Sequence, residues 1–193
     1  MIQDIKNRIT ESIRVKEQLL NDEAILSAIQ KIVETCVKAF QADKKILFAG
    51  NGGSAADAQH LAAEFSGRFY KDRTPLYAEA LHVNSSYLTA VANDYSYEEV
   101  YARLITAKGR SGDVFFGIST SGNSKNILKA IEAAKKQGMI VVGMTGSTGG
   151  KMKDLCDFLV NVPSDDTPRI QEAHILVGHI ICEFVEERMF DLI

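Results

Sequence analysis

The sequence predicts an α/β fold: a three-layer sandwich in which helices flank a parallel sheet, led by a pair of helices. Three observations carry that prediction. Short apolar runs alternate with helical stretches along most of the chain. The runs lack period-two alternation, as strands do when helices cover both faces of their sheet. The stretches between them are long enough for the crossovers that parallel strands require. The 193 residues read as one domain, with 1–43 forming the leading helices and 44–193 the α/β core and a closing helix.

Ile2, Ile5, Ile9, Ile13 and Leu19-Leu20 recur mostly at three to four residues with charges between them, which makes the first helix. Asn21-Asp22 reads as a break and a fresh cap. The second helix carries Ile25, Ile29, Ile32-Val33, Cys36-Val37 and Phe40 on one side. Strands follow at 45–50, 114–119, 139–145 and 158–162, with a weaker one at 76–81. The last helix starts near Pro168, a favourable first-turn residue, and runs through Glu187. Its apolar positions, Ile170, Ile175, Leu176, Ile180, Ile181, Phe184 and Val185, cover so wide an arc that it needs more than one packing partner. Those partners are the leading helices and a further subunit.

Composition excludes several classes. With 22 basic and 25 acidic residues the net charge is −3, and no basic recognition helix stands out, so nucleic acid is not an expected partner. Three widely spaced cysteines without a CxxC pair argue against a disulfide framework and a thiolate zinc site. No uncharged stretch reaches the ~18 residues of a membrane span, and the first residues lack the apolar run of a signal peptide. The expectation is a cytoplasmic protein that avoids membranes.

Two loops fall where parallel sheets gather ligands, at the carboxyl ends of strands. The first, Asn51-Gly-Gly-Ser54, precedes a helix; it reads either as a tight turn or as an anion cradle with Ser54 as the cap. It matches neither a P-loop nor GxGxxG. The second, Ser119-Thr-Ser-Gly-Asn-Ser124, sets four hydroxyls before another helix, more than one N-cap needs, and suits a phosphate monoester. A third glycine-rich segment, Gly146-Ser-Thr-Gly-Gly150, reads as a simple turn.

Directly after the first loop, Asp57, His60 and Glu64 share one helix face. His60 and Glu64 read either as a solvated surface pair or as groups that ligate a divalent metal or move a proton. The last helix adds Gln171, Glu172, His174 and His179. Gln171 and His179 lie about 12 Å apart along the axis, a strain for one shared metal. His179, on an apolar helix, reads more weakly than His60. His82 and His174 read as a strand-edge and a packing residue.

Six ordered motifs then combine: Gly50-Asn-Gly-Gly-Ser54, Asp57-Ala-Gln-His60-Leu-Ala-Ala-Glu64, Ala92-Asn-Asp94, Gly117-Ile-Ser-Thr-Ser-Gly-Asn-Ser124, Met144-Thr-Gly146 with Gly149-Gly-Lys151, and Arg169-Ile-Gln-Glu-Ala-His174 followed by His179. Over essentially the whole chain they resemble the sugar isomerase (SIS) domain family, and within it the sedoheptulose-7-phosphate isomerases. The resemblance implies a homotetramer, with active sites at subunit interfaces, that converts sedoheptulose 7-phosphate to D-glycero-D-manno-heptose 7-phosphate through an enediol in bacterial heptose synthesis. It implies that Glu64 and His179 are the acid–base pair, and that Ser119, Thr120, Ser121 and Ser124 hold the phosphate. It implies sugar contacts from Asn51, Gly52, Gly53, Ser54, Glu64, Asn93, Asp94 and Gln171. It further implies one zinc per subunit among His60, Glu64, Gln171 and His179. Some family members have an aspartate where this chain has Pro168, with Asp165 or Asp166 as substitutes. A non-catalytic relative that binds the replication initiator DnaA is the alternative; it lacks the full acid–base set.

Overall fold

The structure, a computed structural model, describes residues 1–190. Helices α1 (Ile2–Leu20) and α2 (Glu23–Gln41) come first, and the break falls at Asn21-Asp22 as the sequence predicts. The Asp22 carboxylate accepts from the Ala24 and Ile25 N–H groups, two of the donors that a helix start leaves without intrahelical partners. Then follow β1 (Ile46–Ala49), α3 (Gly53–Ser66), β2 (Ala78–Ala80), α4 (Ser85–Asp94) and α5 (Val100–Lys108). The second half holds β3 (Val114–Ile118), α6 (Lys125–Lys136), β4 (Ile140–Thr145), a 3₁₀ turn (Gly150–Asp154), β5 (Phe158–Asn161) and α7 (Thr167–Phe190).

The five strands are ordered β2-β1-β3-β4-β5 and every neighbouring pair is parallel. Alternate strand residues feed two cores. Ile46, Phe48, Val114, Phe116 and Val142 face α1, α2, α3 and α7, while Leu47, Phe115 and Val141 face α4, α5 and α6. Burial on both faces explains why the strands read as continuous apolar runs. After β1 the chain builds β2 on one side and returns to place β3 on the other. That reversal opens a crevice between the carboxyl ends of β1 and β3.

Two features hold this sheet, one at an end and one on a face. At the amino ends of β1 and β3, buried Asp113 pairs with Lys45 at 2.6 Å and accepts from the Lys45 and Arg110 N–H groups. On one face, α7 packs against α1, α2 and α3, the several partners that its wide apolar arc requires. Gly178 lets α3 approach closely, since a Cβ there would lie 2.6 Å from the Leu61 methyl carbons. Among the described residues, no helix is long and apolar enough to cross a membrane.

Candidate active site

Both predicted loops line the crevice. Gly52 starts α3 with φ 56° and ψ −122°, backbone angles that a residue with a Cβ rarely adopts. Gly52, and not Ser54, is therefore the N-cap; Ser54 lies in the first turn, buried, and its side chain caps nothing. No side chain caps α3; instead the Ser54 N–H donates to Asn51 O and the Ala55 and Ala56 N–H groups to Gly52 O, each at 3.1 Å. Asn51 turns toward the second loop and exchanges hydrogen bonds with buried Asn126 of α6, at 3.0 and 2.8 Å.

In the second loop Ser119 is buried at the end of β3, and its Oγ lies 2.9 Å from Ser124 Oγ and 3.5 Å from Ser121 Oγ. Ser124 is the N-cap of α6 yet makes no side-chain cap bond. The hydroxyls therefore face one another, as donors gathered for a ligand do, and are not spent on helix ends.

The third glycine-rich segment corrects the sequence reading, for it is part of the same arrangement. Gly146 N–H donates to Thr120 O at 2.9 Å, Met152 N–H to Gly122 O at 3.1 Å, and Lys151 N–H to Asn123 Oδ1 at 3.1 Å. Because β3 and β4 are neighbours, their terminal loops meet. Between them and the start of α7 lies a cavity of ≈ 290 Å³ lined by Thr120, Ser121, Ser147, Thr148, Asp165 and Ile170, among others. Asp165 accepts from the Ser147 hydroxyl there, whereas Asp166 supplies its backbone carbonyl to Ile170 N–H in the first turn of α7.

The α3–α7 crossing assembles the titratable groups. His60 and His179, 119 residues apart, bring their Nε2 atoms to 3.0 Å, and His60 Nε2 lies 3.3 Å from Glu64 Oε1. One ligand atom from each of the three falls within 4.8 Å of the others. Sequence reasoning ranks His179 below His60 because it stands on an apolar helix; the close approach of α3 at Gly178, which brings His60 to it, is a tertiary contact. The donor set fits a divalent cation. Two imidazole nitrogens pointing at one another need a proton or a cation between them, and tetrahedral zinc ligands stand roughly 3.3 Å apart. Gln171 lies elsewhere on α7, against the first loop: a Cβ on Gly53 would be 2.6 Å from its amide nitrogen.

Asp57 sits one turn before His60. Burial pushes its carboxyl up to about 6, the His60 charge opposes that rise, and its Oδ2 is buried without a hydrogen-bond partner. Asn93 and Asp94 end α4, exposed and bonded to each other at 2.9 Å. Just beyond them Tyr97 donates to Asn51 Oδ1 at 3.2 Å, which ties this segment to the first loop. Tyr97 escapes a reading of the sequence, since a single aromatic in a short connection carries no pattern. Glu64 and His179 stand outside the cavity that Thr120 and Ser121 line, and α7 links the two, with Ile170 at the cavity and His179 at the crossing.

Comparison with known proteins agrees with this geometry. The SIS domain family profile matches residues 9–146. A relative from Aneurinibacillus thermoaerophilus, named phosphoheptose isomerase, is 55% identical over 96% of this chain and 94% of its own length. The structure of phosphoheptose isomerase GmhA from Neisseria gonorrhoeae superposes with a TM-score of 0.91 at 41% identity, covering 97% of this chain and 100% of that one. A phosphoheptose isomerase from Francisella tularensis gives 0.92 at 33% identity, over 96% of this chain and 98% of its own. The chain belongs to the SIS domain family, in its phosphoheptose isomerase branch, and is a sugar-phosphate isomerase.

Proposed function

We propose that this isomerase converts sedoheptulose 7-phosphate to D-glycero-D-manno-heptose 7-phosphate by proton transfer through an enediol, in heptose biosynthesis. The observation that carries this reading is the meeting of His60 and Glu64 of α3 with His179 of α7, 119 residues from His60 in sequence. Aldose–ketose isomerisation requires a base that removes a proton from one carbon and returns it to the next. It also requires a group that serves the two oxygens. Glu64 moves the carbon-bound proton, and His179 exchanges protons with the oxygens and neutralises the enediolate; such groups each contribute roughly 10²–10⁴-fold.

Ser119, Thr120, Ser121 and Ser124 hold the phosphate through hydroxyls and helix-start amides. Asn51, Gly52, Gly53, Ser54, Asn93, Asp94 and Gln171 bind the sugar. His60, Glu64 and His179 would hold zinc, which would supply Lewis-acid stabilisation beside the developing oxyanion, while Gln171, placed against the first loop, stays with the sugar contacts. The unit is a homotetramer, a reading supported by the apolar stripe of Ile2, Ile5, Ile9 and Ile13 that α1 leaves exposed. It acts in the cytoplasm, where free Cys36, Cys156 and Cys182 stay reduced. Nothing in the named relatives supports the DnaA-adaptor alternative.

Incubating the purified protein with sedoheptulose 7-phosphate, with and without a chelator, tests the proposal. Aldose phosphate should form, and chelation should slow it. No product from folded protein supplied with zinc would refute the substrate assignment, and full activity under chelation would remove the metal.

A further inference from the structure

The end of α3 that carries Glu64 is tied off in an unusual way. Gly67, its C-cap, has φ −93°, outside the left-handed region, so the common glycine stop is not formed. Arg73 takes over. Its Nη2 donates to Glu64 O at 2.9 Å, and its Nη1 reaches Phe65 O at 2.7 Å, Gly67 O at 3.1 Å and Thr74 O at 3.2 Å. A guanidinium at the carboxyl end of a helix also complements the helix dipole.

Arg73 is itself held from α7. Its Nε donates to Glu186 Oε2 at 2.9 Å, and both side chains are only 3% exposed. Glu186 lies two turns beyond His179 on the same helix face. It accepts further bonds from the Phe69, Tyr70 and Lys71 N–H groups at 3.0, 2.7 and 2.9 Å. Phe69, gripped by its amide, rests its ring 5.9 Å from the His179 ring. Burial works to raise the Glu186 pKa, but the hydrogen bonds from Phe69, Lys71, Tyr70 and Arg73 outweigh it, so the group stays ionised.

A buried ion pair seldom improves stability over an apolar pair of the same shape, so this one calls for another role. The geometry points to Arg73 and Glu186 as positioning residues for the isomerase reaction. They lock the Glu64 end of α3 to the His179 stretch of α7 and so set the separation of the two groups. This inference rests on the reading of Glu64 and His179 as the acid–base pair.

The test compares full-length Glu186→Gln and Arg73→Lys with Asp113→Asn, which removes an equally buried charge at the far end of the sheet. Arg73→Lys keeps the charge opposite Glu186 and loses only the fork that spans the carbonyls. Both clamp variants should lose about 10- to 100-fold in kcat, the scale of a small misplacement of reacting groups. KM for sedoheptulose 7-phosphate should stay within roughly threefold, because the phosphate loop is untouched. Asp113→Asn should lower thermal stability comparably and keep kcat. Should Glu186→Gln not fold, the milder Arg73→Lys decides alone. A kcat loss no larger than that of Asp113→Asn, or a raised KM with kcat unchanged, overturns the positioning role. Glu64→Gln separates the two claims. Full turnover in that variant removes the acid–base reading itself, whereas an inactive Glu64→Gln beside fully active clamp variants removes only the positioning role.

Discussion

His174 and His179 stand on one helix and meet opposite surroundings. His174 is buried against β4, where its Nε2 donates to Thr145 O at 3.1 Å. Burial lowers its pKa to about 4, only partly opposed by that hydrogen bond, so the folded state holds it neutral. Between pH 4 and 6.5 the unfolded chain therefore binds the extra proton, and stability falls as pH drops through that window. By linkage the effect is about 3 kcal/mol, present in full above pH 6.5. His174→Gln, which keeps a donor for Thr145, should show a shallower loss of stability from pH 7 to 4.5 in urea titrations. His174 was legible as a packing residue because apolar neighbours surround it in sequence. His179 was not equally legible, since its meeting with His60 depends on tertiary approach at Gly178. Asp57, read only as one of a cluster, owes its raised pKa to burial that no sequence spacing reveals.

At the scale of elements, alternating apolar runs and helical stretches were enough to locate every strand, and the Asp22 cap and the Pro168 start fell where side-chain chemistry places them. Strand order was not legible, and with it went the role of the Gly146–Gly150 segment. A turn after β4 becomes part of a binding cavity only because β4 lies beside β3. The same adjacency makes Gly122 critical. Its φ is 64°, and a Cβ would fall 2.2 Å from Gly149 O, a backbone atom that cannot swing aside. Gly122→Ala should cost about 2–4 kcal/mol, from left-handed strain plus the clash. It should also push the two loops apart, raising KM for the sugar phosphate more than it lowers kcat. Thermal melts and steady-state kinetics on that variant measure both effects. Arg73 and Glu186 went unread for a related reason: a charged residue on an apolar helix looks like an exposed one until its partner from a distant loop is seen.

For the molecule as a whole, α1 is the element with most apolar surface to spare. Ile5, Ile9 and Ile13 remain at least half exposed although their neighbours Val15 and Leu19 are buried. The proposed homotetramer would lay a second copy on this stripe. Light scattering should then give a mass near four times 21.2 kDa, and Ile9→Asp should shift it toward smaller species. Residues 9–146 carry the family match, yet His179 lies outside them, so the chemistry proposed here depends on α7 closing over a core that the profile already covers. In the proposed reaction Glu64 transfers the proton between neighbouring carbons of a bound seven-carbon phosphosugar. Turnover of Glu64→Gln, measured alongside calorimetric binding of sedoheptulose 7-phosphate to the same preparation, tests it most directly. We expect binding close to that of the unaltered protein and a kcat lower by about 10²–10⁴-fold; an enzyme that binds and still isomerises at the original rate would contradict the account.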